Sequence, residues 1–220
     1  MKIVVFGAGF VGSAIAGELA ARGHEVTAVS RSGGKDVPAQ VAPVTGSVHD
    51  PAFLAPVTAK ADAIVAALPA VSPDGGLGAA VTDLLPAAQA SGARLGVVGG
   101  ASILPVVAGG PREGDTPAFP AKFAPLTDAH QQALDILSAA PPDVDWFYLV
   151  PGGEFGGHNP GTRTGAYRTS GTSQVVGADG HSRLGVADYA IAFADELETP
   201  RTHRGWLAIG YLACRAAWSC

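Results

Sequence analysis

Three features of this sequence predict an α/β fold built on a doubly wound parallel sheet. Short β-branched apolar runs alternate with segments of helical periodicity, the pattern of a parallel sheet with helices on both faces. Several runs close on glycine, where a strand must turn sharply into a helix. The helical segments carry their own start and stop residues.

Taken in order, Lys2 to Phe6 is an apolar strand ending in Gly7, and Phe10 to Arg22 is a helix stopped by Gly23. Glu25 to Ser30 is the second strand, followed by the polar turn Ser32-Gly33-Gly34-Lys35. A third strand covers Val41 to Thr45. Asp50 then caps a helix that has Pro51 at its first position, where a missing N–H costs nothing. Ala63 to Leu68 is a wholly apolar strand, Leu77 to Ala90 a helix, and Arg94 to Val98 a strand closing on glycines. Ser102 to Pro125 is punctuated by Pro105, Pro111, Pro117, Pro120 and Pro125 and reads as a long surface excursion. A helix from Leu126 to Ala139 and a strand from Asp145 to Val150 follow, then the irregular glycine-rich stretch Gly152 to Gly165. Short strands at Ala166 to Arg168 and Ser173 to Val176, a helix from Val186 to Leu197 and a strand at Trp206 to Ile209 complete the chain.

The 220 residues suit one domain, expected over 1–220, with a small C-terminal extension (about 152–182 and 199–212) on the substrate side. With 47% hydrophobic residues, a core forms without metal or disulfide staples. Lys and Arg total 14 against 19 Asp and Glu, a net charge of -5, and no long block of one sign occurs, which disfavours nucleic acid as a partner. No apolar run reaches the length of a membrane span, so no membrane partner is expected. Met1 and Lys2 lead directly into the first strand, and the expected location is cytoplasmic. Cys214 and Cys220 are too few and too late for a disulfide framework or a zinc site. His24, His49, His181 and His203 are scattered without metal-ligand spacing, so no metal is expected.

Gly7-Ala8-Gly9-Phe10-Val11-Gly12 has the spacing G-x-G-x-x-G, placed after a strand and opening a helix. Gly7 suits the tight turn, Gly9 lets backbone approach a pyrophosphate, and Gly12 lets helix and strand pack closely. Phe10 and Val11 begin a helix whose N-terminus offers unpaired N–H groups to an anion. The fold is therefore Rossmann-type. At the end of the second strand stands Ser30-Arg31-Ser32, with no carboxylate to hold a ribose 2'-hydroxyl. A guanidinium flanked by hydroxyls suits a 2'-phosphate, so NADP(H) is favoured over NAD(H). The other reading of Arg31 is a solvated surface side chain.

Read with these motifs, Asp62 to Leu68, Val97 to Ala101, Asp115 to Pro120, Arg163 to Arg168, Ser182 to Ala190 and Asp195 to Pro200 make the chain resemble the atypical short-chain dehydrogenase/reductase proteins. It is most similar to their NADH-flavin reductase-like or NmrA-like NAD(P)-binding group. The resemblance implies a cofactor wall of Ala67-Leu68-Pro69 and Gly99-Gly100, with nicotinamide contacts from residues at and after Pro151. Gly46-Ser47-Val48 stands where family members often carry G-D-V, which leaves the adenine pocket to Val48 and backbone atoms.

Four residues after Tyr148, Tyr167, Tyr189 and Tyr211 stand Gly152, Gly171, Phe193 and Arg215, so the chain has no Tyr-x-x-x-Lys dyad. Alcohol–ketone chemistry, which needs that phenol to protonate an alkoxide, is disfavoured. A conjugated acceptor relaxes the requirement, because its reduced anion is delocalised and solvent can protonate it. The expected function is an NAD(P)H-dependent reductase of a flavin-like, quinone-like or polycyclic aromatic acceptor, with a flavin serving as acceptor and not as a bound prosthetic group. The alternatives are a non-catalytic NADP(H)-sensing regulatory protein and a tailoring reductase or isomerase of a biosynthetic pathway. Monomer and homodimer are both compatible with the sequence.

Polar helpers are few. Ser102 lies near where the family's fold places a catalytic serine, or else caps its loop. His130 shares helical spacing with Leu126, Ala133, Leu134 and Leu137, which puts it on an inward face as a core or cleft-lining residue or as an acid. His158 sits in a glycine-rich stretch that the fold would hang over the nicotinamide. Glu154, Phe155 and Tyr167 are candidate acceptor contacts. Arg163, with Arg168, either meets an acceptor phosphate or carboxylate or pairs with Asp188 or Glu154. Asp188 caps or pairs.

Overall fold

The computed structural model describes residues 1–33 and 37–211; part of the turn after Ser32, and the Leu212 to Cys220 tail with both cysteines, lie outside the described residues. Strands β1 (Lys2–Phe6), β2 (Glu25–Ser30), β3 (Ala42–Thr45), β4 (Ala63–Ala66), β5 (Arg94–Val98), β6 (Trp146–Val150), β7 (Arg168–Ser170) and β8 (Gly205–Gly210) form one sheet in the order β3-β2-β1-β4-β5-β6-β8-β7. Every neighbouring pair is parallel except β7 with β8, which is antiparallel. The chain returns to the middle of the sheet after β3, so β4 lies beside β1. A crevice opens there, at the carboxyl ends of the strands, where ligands of doubly wound folds bind.

Helix α1 (Phe10–Ala21) packs with α5 (Val186–Glu198) on one face, while α2 (Pro51–Thr58), α3 (Gly76–Ser91) and α4 (Ala124–Ser138) cover the other. Both faces of β4 and β6 are therefore buried, which is why those strands are apolar at every position. On the α5 face the Phe147 and Phe193 rings stand 4.9 Å apart, and each fully buried aromatic contributes about 1.5–3 kcal/mol. Asp50 caps α2 through Oδ1, which accepts from the N–H groups of Ala52 and Phe53. At the far end of the sheet Glu196, 2% exposed, accepts from Arg94 and from the N–H groups of Arg201 and Thr202, so its buried charge is paired.

Several boundaries differ from the sequence-based expectation. The two short strands expected at Ala166 to Arg168 and Ser173 to Val176 are one strand, β7, because only Arg168–Ser170 reaches the edge of β8. Strand β4 stops at Ala66; Ala67 and Leu68 leave the ladder to wall the crevice. Helix α4 starts at Ala124, with Pro125 inside its first turn. The excursion before it holds three short 3-10 turns, and Gln174 ties it down by donating to Ala101 O and to Glu113.

Candidate functional site

The crevice is a cleft of about 760 Å³ between the β1–α1 loop, the ends of β2 and β3, and the loop after β4. Its floor depends on two glycines. Gly7 has φ +100°, and a Cβ there would stand 2.1 Å from Ala67 O; a Cβ on Gly12 would stand 1.7 Å from Gly7 O. Neither site admits a side chain without moving backbone, so strand, turn and helix meet as closely as the fingerprint requires. Gly9 differs. Its φ of -86° is open to any residue, and a Cβ there would meet nothing within 4 Å.

Gly9 is the N-cap of α1, and the first intrahelical bond runs from Ser13 N to Gly9 O. The N–H groups of Phe10, Val11 and Gly12 lack helical acceptors and point out of the helix end. Free donors with the positive end of a helix dipole beside open space suit a phosphate. The Ser30 hydroxyl is buried without a hydrogen-bond partner among the described residues and belongs to the cleft lining. An unfilled space over Gly9, an unpaired hydroxyl and free amides together fit a dinucleotide.

Of the residues expected to hold the cofactor, Gly7, Gly9, Phe10, Val11, Ser30, Arg31, Val48, Ala67, Leu68 and Pro69 line this cleft. Gly12 lies beneath it. Gly99 and Pro151 do not line it: both are buried, and a Cβ on Gly99 would stand 2.5 Å from the Tyr148 ring. Sequence reasoning missed Asp74, Ser72 and His49, which also line the cleft. Asp74 Oδ2 accepts from Arg31 Nη1 at 2.8 Å and stands 3.8 Å from His49 Nε2. Nothing in the local sequence marks Asp74, since its partner is 43 positions away.

The candidate catalytic and acceptor residues lie outside this cleft. Ser102 Oγ accepts from Thr127 Oγ1 at 2.7 Å, and one helical turn on, His130 Nδ1 is hydrogen-bonded to the Tyr148 hydroxyl at 2.7 Å. Burial lowers the His130 pKa to about 4, so the imidazole is neutral at neutral pH and is no imidazolium acid there. His130 faces inward with Ala133 and Leu137 as a packed neutral ring, but Leu126, expected on the same face, is exposed. A Cβ on Gly100 would stand 2.3 Å from its Cδ2. His158 is exposed, with its ring over Gly156.

Glu154 binds Arg183 at 2.9 Å and His181 at 2.5 Å, and these partners outweigh desolvation to hold its carboxyl below the usual range. Phe155 packs on Tyr189, ring centroids 4.9 Å apart. Arg163 pairs with neither Asp188 nor Glu154: its guanidinium grips both carboxylate oxygens of Glu18 on α1, at 2.6 and 3.2 Å. The Tyr167 hydroxyl donates to Asp195 at 2.5 Å. Asp188 is fully buried and accepts from Thr164 N, Thr164 Oγ1, Gly165 N and the Tyr211 hydroxyl. The Gly152 to Gly165 segment is thus strapped to α1 by Arg163 and to α5 by Asp188. Among the described residues no cluster of His, Cys, Asp and Glu could hold a metal, and no helix is long and apolar enough to cross a membrane.

Fold and cleft together define a Rossmann-type, NAD(P)H-binding protein. The NAD(P)H-binding family model matches residues 7–197, and the chain belongs to that family. It is 36% identical over 206 residues to the protein YwnB of Bacillus subtilis (strain 168), covering 91% of this chain and 93% of that protein. A Burkholderia pseudomallei structure, provisionally named an exported protein, superposes with a TM-score of 0.84 at 35% identity over 96% of this chain and all of that one. A Streptococcus pneumoniae structure, provisionally named an NADH-flavin reductase, superposes with a TM-score of 0.83 at 30% identity, covering 96% of this chain and 99% of that one.

Proposed function

We propose that this chain is an NADPH-preferring reductase of a conjugated acceptor, flavin-like, quinone-like or polycyclic aromatic. The observation that carries the reading is the open space over Gly9 at the end of α1, with Arg31 on the rim of the same cleft. When bound there, reduced nicotinamide supplies hydride. The glycine loop holds a pyrophosphate through the amides of Phe10, Val11 and Gly12, and Val48 meets the adenine. Arg31 recognises a 2'-phosphate, for which its 69% exposed side chain exchanges the surface contact with Asp74.

The acceptor lies beside the Gly152 to Gly165 segment, on the half-buried Phe155 ring, which the fully buried Tyr189 backs. Catalysis is by positioning, because α4 carries no tyrosine and the anion of a conjugated acceptor takes its proton from water. Ser102 and His158 act at most as hydrogen-bond donors to the acceptor. The likeness to a protein provisionally named an NADH-flavin reductase supports this acceptor class. The test is loss of reduced-nicotinamide absorbance with NADPH and with NADH, each with and without flavin mononucleotide. Flavin-dependent loss, faster with NADPH, is the expected result.

One observation favours a second reading, a non-catalytic NADP(H)-sensing protein. Ser102, His130, Glu154, Arg163 and Tyr167 each already have an internal hydrogen-bond or ion-pair partner. Tight NADPH binding with no turnover on flavin or quinone acceptors selects it.

A further inference from the structure

We propose that Asp74 is the ribose-reading carboxylate of this cleft, delivered by the β4–α3 loop, and that with Arg31 it makes the site read both nicotinamide cofactors by opposite charges. The inference rests on the cofactor reading above and deepens it. The end of β2 carries Ser30-Arg31-Ser32 and lacks the carboxylate that receives a ribose 2'-hydroxyl in NADH-binding sites. The fold returns one to the same place from elsewhere. Asp74 stands on the opposite rim, lines the same cleft as Arg31, and meets it at 2.8 Å.

Both side chains are exposed, so their pair is a closed contact across the rim and contributes little to folding. A hydrogen bond from Ser72, with the nearby Arg31 and His49, keeps Asp74 ionised by lowering its pKa. His49 Nδ1 is held by Asp83 at 2.6 Å, and among the described residues that line this cleft Arg31 is the one Lys or Arg side chain. An incoming 2'-phosphate competes with Asp74 for Arg31 and is repelled by its charge. An incoming 2'-hydroxyl donates to Asp74 and leaves the Arg31 pair substantially in place.

The two cofactors therefore respond in opposite directions to loss of Asp74. Dissociation constants of NADPH and NADH, read by reduced-nicotinamide fluorescence, are compared for the wild type, Asp74→Ala and Arg31→Ala, with unfolding temperature as the folding check. Asp74→Ala is expected to tighten NADPH several-fold and weaken NADH several-fold. Arg31→Ala is expected to weaken NADPH at least tenfold and leave NADH within about twofold. If Asp74→Ala moves both cofactors the same way, or neither, the assignment of Asp74 is overturned while the cofactor cleft stands. A wild type that binds neither cofactor overturns the cofactor reading and this inference with it. Should either alanine variant unfold, Asp74→Asn and Arg31→Gln carry the same signs with smaller changes of shape.

Discussion

His130 Nδ1 and the Tyr148 hydroxyl stand 2.7 Å apart, a pair that joins α4 to the middle of β6 behind Gly100. Burial pushes the imidazole pKa down to about 4 and the phenol pKa up, so both groups are neutral and share one hydrogen bond.

The pair predicts a pH effect on stability. The folded pKa of His130 lies below its unfolded value of about 6.5, so the unfolded chain binds more protons between the two. Stability from this group is complete above about pH 6.5 and is lost as the pH falls toward 4, to a total of about 3 kcal/mol. Urea unfolding from pH 7 to 4 should show a smaller loss for His130→Gln than for the wild type. Equal slopes would mean that His130 titrates normally in the folded protein.

Asp188 is predicted to hold the Gly152 to Gly165 segment in place. Asp188→Ala strands the N–H groups of Thr164 and Gly165 and the hydroxyl of Tyr211. Thr164 and Gly165 are exposed and Tyr211 is half-buried, so water replaces part of the lost acceptor, and a loss of about 1–3 kcal/mol in total follows. Desolvation opposes the ionised form, but the bonds from Tyr211, Thr164 and Gly165 outweigh it and lower the pKa. The contribution is present above the ordinary carboxylate range and disappears as the pH falls through the folded value. Limited proteolysis should cut the variant first between residues 152 and 165.

Positioning chemistry predicts mild kinetic effects from the polar helpers. At saturating NADPH, Ser102→Ala and His158→Ala should turn over flavin mononucleotide within a few-fold of wild type. A fall of about a hundredfold or more is the size of a general acid–base contribution and would make that residue catalytic. His158 is exposed, so its replacement carries no folding cost that could mimic such a loss.

Much of the cleft was legible because its chemistry is local. The Gly7, Gly9 and Gly12 spacing states the turn, the open approach and the close packing within six consecutive residues, and Asp50-Pro51 states a helix start in two. The three-residue strand β7 was misplaced because its identity comes from pairing with β8, forty residues on, and not from its own composition. Arg163 was legible as a cation for an acceptor anion, Asp188 or Glu154, whereas its partner Glu18 is 145 positions away. Asp74 escaped for the same reason. Long-range ion pairs leave no spacing to read.

The same three glycines predict separable defects. Gly7→Ala and Gly12→Ala drive a Cβ into backbone at 2.1 and 1.7 Å and should unfold or severely destabilise the chain. Circular dichroism and thermal melting read this without any cofactor.

The central claim is that NAD(P)H binds through the glycine loop, and titration of NADPH into Gly9→Val tests it most directly. A valine there meets no protein atom within 4 Å of its Cβ but fills the space over the end of α1, so the variant should melt close to the wild type. Its NADPH affinity should fall at least about tenfold, or roughly 1.4 kcal/mol. A well-folded Gly9→Val that binds NADPH as tightly as the wild type would contradict the account.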